Sequence, residues 1–141
     1  MVTKSLSKHI EILLIEDSPA DILLTREAFE ESRILNTLHV AEDGVQAMDF
    51  LRKRGAYASA PRPDLILLDL NMPRKDGRKA LAEIKSELAL QHIPVVILTT
   101  SEDQKDIAFA METRAESFIT KPATFDEWVQ IMRSLAKNWL S

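Results

Sequence analysis

Cysteine is absent from this sequence, which excludes disulfide bonds and thiol chemistry together. Glycine is scarce. Gly44, Gly55 and Gly77 are the three present, and their spacing forms neither a phosphate-cradling P-loop nor a dinucleotide fingerprint. An excess of basic charge is missing as well: the formal net charge is −4, which argues against the basic face that nucleic-acid binding needs. No apolar run is long enough to cross a bilayer. The first eight residues, Met1 to Lys8, lack the apolar core of a signal peptide. The histidines His9, His39 and His92 are scattered, without shared metal spacing. These absences leave a cytoplasmic protein as the expectation, bound to neither membrane nor nucleic acid. Its 141 residues, 45% hydrophobic and 28% charged, have the size and balance of one globular domain around one core.

What is present is a set of short apolar runs, each ending on a reactive polar residue. The runs Ile10–Ile15, Leu65–Leu68, Val95–Leu98 and Phe118–Ile119 lead into Glu16-Asp17, Asp69, Thr99, and Lys121 just beyond Thr120. Runs this short and this rich in Ile, Val and Leu read as strands buried on both faces. Helical segments lie between them, which implies parallel strands. Five β–α units follow. Strand one is Ile10–Ile15 with a helix from Pro19 to Ser32, and strand two is Thr37–Ala41 with a helix from Gly44 to Lys53. Strand three is Leu65–Asp69 with a helix from Arg78 to Leu88, and Gly77 reads as serving the turn into that helix. Strand four is Pro94–Leu98 with a helix from Glu102 to Thr113, and strand five is Glu116–Thr120 with a helix from Phe125 to Trp139. Ser18-Pro19-Ala20-Asp21 supplies an N-cap, a first-position proline and a first-turn acid. Asp43 with Gln46, Ser101 with Gln104 and Thr124 with Glu127 have capping-box spacing. No internal repeat or second domain is visible, so residues 1–141 read as one unit.

In a parallel sheet every carboxyl end lies on one edge, where open α/β sheets carry their sites. Three carboxylates, a hydroxyl and a lysine therefore meet. Clustered carboxylates repel and need a positive partner. Hard oxygen ligands of this kind suit Mg²⁺, and Lys121 adds a compact second charge. Metal, lysine and carboxylates together form a site for a phosphoryl group, with a carboxylate as nucleophile and Thr99 as a hydrogen-bond donor. Taken singly, each residue reads more often as a cap, a solvated turn, a strand-end residue or a surface lysine. The joint placement at four strand ends carries the argument.

Ile12-Leu13-Leu14-Ile15-Glu16-Asp17, Leu67-Leu68-Asp69-Leu70-Asn71-Met72-Pro73-Arg74-Lys75-Asp76-Gly77, Leu98-Thr99-Thr100-Ser101 and Ile119-Thr120-Lys121-Pro122 resemble the marks of receiver domains of two-component response regulators. The resemblance covers nearly the whole chain. It implies a flavodoxin-like (βα)5 fold with five parallel strands in the order 2-1-3-4-5. It also implies phosphorylation of Asp69 by a sensor histidine kinase, with the chain acting as a signalling module rather than an enzyme. Asp17, Asp69 and the Asn71 carbonyl would bind Mg²⁺, with Glu16 acting mainly through water. Thr99 and Lys121 would hold the phosphoryl group, which would draw the Thr99 hydroxyl inward and let Phe118, the aromatic switch, turn in, and Lys121-Pro122 would be a cis peptide. Many receivers carry glycine where Arg114 stands before Ala115, which leaves the shape of the loop into strand five open.

Within the family the chain is similar to single-domain regulators partnered with phytochrome-type kinases. The hints are Leu98-Thr99-Thr100-Ser101, the long loop before strand three and the terminal Asn138-Trp139-Leu140. The sequence ends after helix five, so no output domain is expected. Signalling would run through the face made by helix four, strand five and helix five, with a homodimer formed there through Trp139 and Leu140. Two alternatives compete. A haloacid-dehalogenase-type phosphatase also forms an aspartyl-phosphate, but it needs a second acid where Asn71 stands. A phosphorylation-independent interaction module would be expected to lack site residues, and none is missing.

Overall fold

The computed structural model describes residues 9–72 and 76–140. Pro73, expected with Met72 to shape the loop after Asp69, lies outside the described residues, as do the side chains of Trp139 and Leu140. Strands β1 (Ile10–Ile15), β2 (Asn36–Ala41), β3 (Leu65–Leu68), β4 (Val95–Thr99) and β5 (Ser117–Thr120) alternate with helices α1 (Pro19–Glu31), α2 (Gly44–Leu51), α3 (Gly77–Ser86), α4 (Gln104–Glu112) and α5 (Phe125–Leu135). A short 3-10 turn, Gly55–Tyr57, sits in the long loop before β3. The expected final helix changes character at Ala136 and ends as a π-helical turn, Ala136–Leu140.

All pairings are parallel and the strand order is β2-β1-β3-β4-β5, the flavodoxin-like order. Alternate residues of the inner strands face opposite layers. Leu13, Ile15, Ile66, Leu68, Val95 and Ile97 pack with Met48, Leu81, Ile84 and Ala110. Ile12, Leu14, Leu65, Leu67, Val96 and Leu98 pack with Phe29, Trp128, Met132 and Leu135. Burial on both faces is why these runs are continuously apolar instead of alternating. Phe118 and Ile119 depart from that expectation. They are half-buried, because the strand order puts β5 at the edge of the sheet, where one side has no neighbouring strand.

Ser18, Asp43 and Thr124 cap α1, α2 and α5 as their spacing predicts. The expected Ser101 cap is incorrect. Asp103 caps α4 by accepting the Lys105 N–H, while the Ser101 hydroxyl donates to Asp106 at 2.6 Å. The helix ends answer the question left by scarce glycine. Arg33, Lys53 and Arg114 follow α1, α2 and α4 with φ of 58°, 57° and 67°. At each, the left-handed residue donates to the carbonyl three back, and the next residue donates to the carbonyl five back. This is the hydrogen-bond pattern of a Schellman cap, a place that usually holds glycine. Arg114 thus shapes the loop into β5 by taking the left-handed conformation itself.

A left-handed side-chain-bearing residue costs about 1 kcal/mol, part of which glycine's greater freedom in the unfolded chain offsets. Lys53 is exposed, so Lys53→Gly should stabilise the fold by the difference, about 0.5 kcal/mol or less. Urea denaturation checks this, and a lower midpoint for the variant would contradict the strain argument.

Candidate functional site

Register brings the site together. Ile15 pairs with Leu68, so Glu16 and Asp69 leave adjacent strands side by side. Leu68 pairs with Ile97, placing Thr99 just past Asp69 on the next strand. Thr99 pairs with Thr120, and the Lys121 N–H donates to the Thr99 carbonyl at 2.8 Å. The loop after β3 is held by a close approach. A Cβ on Gly77 would lie 2.3 Å from the Asp69 carbonyl oxygen and 2.6 Å from Leu70 Cα. Only glycine lets α3 begin against the Asp69 backbone. The role of Gly77 is this contact, rather than a turn.

Asp69 is 5% exposed, Glu16 3% and Thr99 fully buried. The Thr99 hydroxyl donates to Asp69 Oδ1 at 2.7 Å, and the Asn71 N–H donates to the same oxygen at 3.1 Å. Lys121 Nζ donates to Asp69 Oδ2 at 3.1 Å and lies 2.7 Å from Glu16 Oε1. Glu16 Oε2 accepts the N–H groups of Asp17 and Ser18, both at 3.2 Å. The three carboxylates Glu16, Asp17 and Asp69 each place an oxygen within 4.8 Å of the others. Burial, helped by the Asp69 charge, pushes the Glu16 carboxyl up to about 7 despite its bond to Lys121. Burial alone would lower the Lys121 ammonium, but hydrogen bonds to Asp21 and Glu16 outweigh it and raise the group above its usual range. Among the described residues, the arrangement is a buried acidic pocket short of positive charge, with one cation and one hydroxyl aimed at Asp69.

Sequence reasoning missed several members. Asp21, in the first turn of α1, accepts from Lys121 Nζ at 2.7 Å. Arg78 grips Asp106 with two bonds, Nε to Oδ1 at 2.7 Å and Nη2 to Oδ2 at 2.6 Å, and also reaches the Leu70 carbonyl and the Asn71 side chain at 3.3 Å each. The hydrogen bonds from Arg78 and Ser101 lower the Asp106 carboxyl below the usual carboxylate range. His9 and His39 are not scattered. Glu11 joins them, at 3.2 Å and 2.7 Å, because β1 and β2 pair in parallel. Two further expectations change. No described peptide bond is cis, so Lys121-Pro122 is trans, the form that X–Pro bonds also favour by about 0.5–1 kcal/mol. Thr99, expected to turn inward only on phosphorylation, is already inward, held by the Asp69 carboxylate itself.

Comparison with known proteins agrees with this geometry. The sequence model of the response regulator receiver domain matches residues 12–133. The chain belongs to the response regulator receiver domain family. The receiver is 43% identical over 129 residues to the response regulator Rcp1 of Synechocystis sp., a match covering 92% of this chain and 88% of Rcp1. Its fold is similar to the crystal structure of the phosphorylated cyanobacterial phytochrome response regulator RcpA, with a TM-score of 0.89, 46% identity, and 95% and 96% of the two chains covered. It is also similar to the Mn²⁺-bound form of Rcp1, with a TM-score of 0.86, 42% identity, and 94% and 95% covered. The family favours the signalling reading over the phosphatase one.

The donor set fits the divalent cation such domains bind. Three hard carboxylates converge where one lysine cannot neutralise them, as Mg²⁺ coordination prefers. Asp17→Ala should weaken Mg²⁺ binding by about 10-fold or more in calorimetry. Because Glu16 holds a proton up to about 7, raising the pH removes a competitor for the metal. Mg²⁺ affinity should therefore rise from about pH 6 to about pH 8, with proton release on binding. A flat profile would count against Glu16 as a participant.

Proposed function

We propose that residues 1–141 act as one cytoplasmic receiver unit that takes a phosphoryl group onto Asp69 from a sensor histidine kinase of the phytochrome type. The observation that carries this is the pair of bonds on Asp69. Thr99 holds one carboxylate oxygen and Lys121 the other, so both groups stand ready for a phosphoryl group placed there. An Asp69 oxygen attacks phosphorus and the P–N bond to the kinase histidine breaks, with the electron pair leaving on the imidazole. Asp17, Asp69 and the Asn71 carbonyl would hold Mg²⁺, with Glu16 acting through water, and the metal would supply positive charge for the phosphoryl oxygens. Thr99 and Lys121 then bind the phosphoryl oxygens, and the receiver assists both gain and loss of the group without turning over a separate substrate. The phytochrome link rests on the similarity to RcpA.

The output is a population shift of the face made by α4, β5 and α5. Phosphorylation moves the Thr99 hydroxyl from Asp69 Oδ1 to a phosphoryl oxygen, and half-buried Phe118 responds in β5. Trp139 and Leu140, two large apolar residues at the end of the terminal π-helical turn, form a two-fold homodimer contact on that face. A two-fold interface buries both copies at once.

Incubation with a small acyl phosphate and Mg²⁺ should add one phosphoryl group by intact mass, and Asp69→Asn should add none. Equal labelling of the variant would end the assignment. In sedimentation, the wild type should be dimeric at high micromolar concentration and Trp139→Ala shifted toward monomer. A wild type that stays monomeric both with and without beryllofluoride would remove the interface.

A further inference from the structure

Lys121 is held more fully than binding a phosphoryl group alone requires. Its Nζ has three N–H bonds to give, and three carboxylates surround it: Glu16 and Asp21 at 2.7 Å each, and Asp69 at 3.1 Å. The lysine side chain is 8% exposed and that of Asp21 24%. Two of these partners are committed elsewhere. Asp69 becomes a neutral acyl oxygen when the phosphoryl group arrives, and Glu16 belongs to the acidic cluster able to hold a metal. Asp21 is not in that cluster. It also sits on fixed backbone. Ser18 caps its N–H at 3.3 Å, Pro19 starts the helix, and the Thr25 hydroxyl donates to its carbonyl at 2.8 Å.

We propose that Asp21 is a positioning residue for phosphoryl transfer, an anchor on the first turn of α1 that keeps the Lys121 ammonium beside Asp69 while its other two partners serve the metal and the phosphoryl group. The proposal rests on reading Asp69 as the phosphoacceptor. Without Asp21, a lysine with four flexible bonds would be repelled by the metal and left to Glu16 alone, free to swing out of reach of the incoming phosphoryl oxygens. Asn at this position keeps an acceptor oxygen in place and loses only the charge, whereas Ala removes the anchor.

The test is the rate of labelling by acetyl phosphate at saturating Mg²⁺. Asp21→Ala should label roughly 10-fold or more slowly than wild type, as expected when a hydrogen bond to a charged group is lost in the transition state. Asp21→Asn should recover most of that rate. Mg²⁺ affinity should be unchanged in both variants, since the anchor acts on the lysine. In a Lys121→Ala background, Asp21→Ala should slow labelling no further, because residues acting through one another are not additive. A purely structural effect on α1 would instead add to that background, and would overturn the proposal. So would an Asp21→Ala protein that labels at the wild-type rate, or an Asp21→Asn protein as slow as Asp21→Ala. Failure of the wild type to be labelled at all would overturn the Asp69 reading and this one with it. A labelled wild type alongside an unaffected Asp21→Ala overturns this one alone.

Discussion

One buried ammonium holds the carboxyl edge of the sheet together. Lys121 ties β5 to β1 through Glu16, to β3 through Asp69 and to α1 through Asp21. Those acids stand close enough to repel, and at short range in a poorly solvated pocket that repulsion is large. Breaking such a group by removing its one cation would leave several buried charges uncompensated, the costly case for buried ion pairs. Lys121 is therefore a structural part of the site before any phosphoryl group arrives, and its side chain cannot drift far from Asp69.

A second set of bonds connects that edge to α4. Asp69 accepts from Thr99, the Ser101 N–H approaches the Thr99 hydroxyl at 3.4 Å, and the Ser101 hydroxyl donates to Asp106. Arg78 then returns from Asp106 to the Leu70 carbonyl and the Asn71 side chain, the residues that follow Asp69. The loop is closed: β3 end, β4 end, first turns of α3 and α4. Its Arg–carboxylate member is bidentate, the geometry that gives such pairs direction as well as strength. A change in what Thr99 binds is thus felt at Ser101 and at the first turn of α4. The charge at Asp69 has a short hydrogen-bonded route to α4.

The strand ends were legible because parallel strands buried on both faces leave an apolar signature, and because register does the rest. Glu16, Asp69, Thr99 and Lys121 needed no side-chain geometry to be placed together. Asp21 was visible only as a first-turn acid, since its partner lies 100 residues away. Arg78 and Asp106 were silent for the same reason, at 28 residues apart. Ser101 misled because its hydroxyl donates to Asp106 and accepts the Asp103 N–H just ahead of the helix, while Asp103 itself accepts the Lys105 N–H and caps α4. His9 and His39 seemed unrelated because two parallel strands bring residues together at an offset that only the register fixes. Gly77 looked like a turn residue, yet what requires it is a backbone 2.3 Å from where a Cβ would sit, a distance that no pattern in one sequence encodes.

The acidic pocket opposes folding while it serves binding. A carboxyl whose folded value is raised, as Glu16 is to about 7, disfavours the native state increasingly as pH rises from its ordinary value of 4.5 through that point. Above it the full penalty of an ionised, desolvated carboxylate beside Asp69 remains. The fold carries that penalty on well-packed strands, where both core layers are closed and Leu68 and Ile15 are fully buried beneath the site. A divalent cation held by this cluster would favour the charged form of the acids, so its binding energy would first offset the repulsion and then add stability by mass action. Metal, lysine and any group that Asp69 receives would therefore enter one electrostatic balance, because Lys121 and the acidic cluster share the same carboxylates.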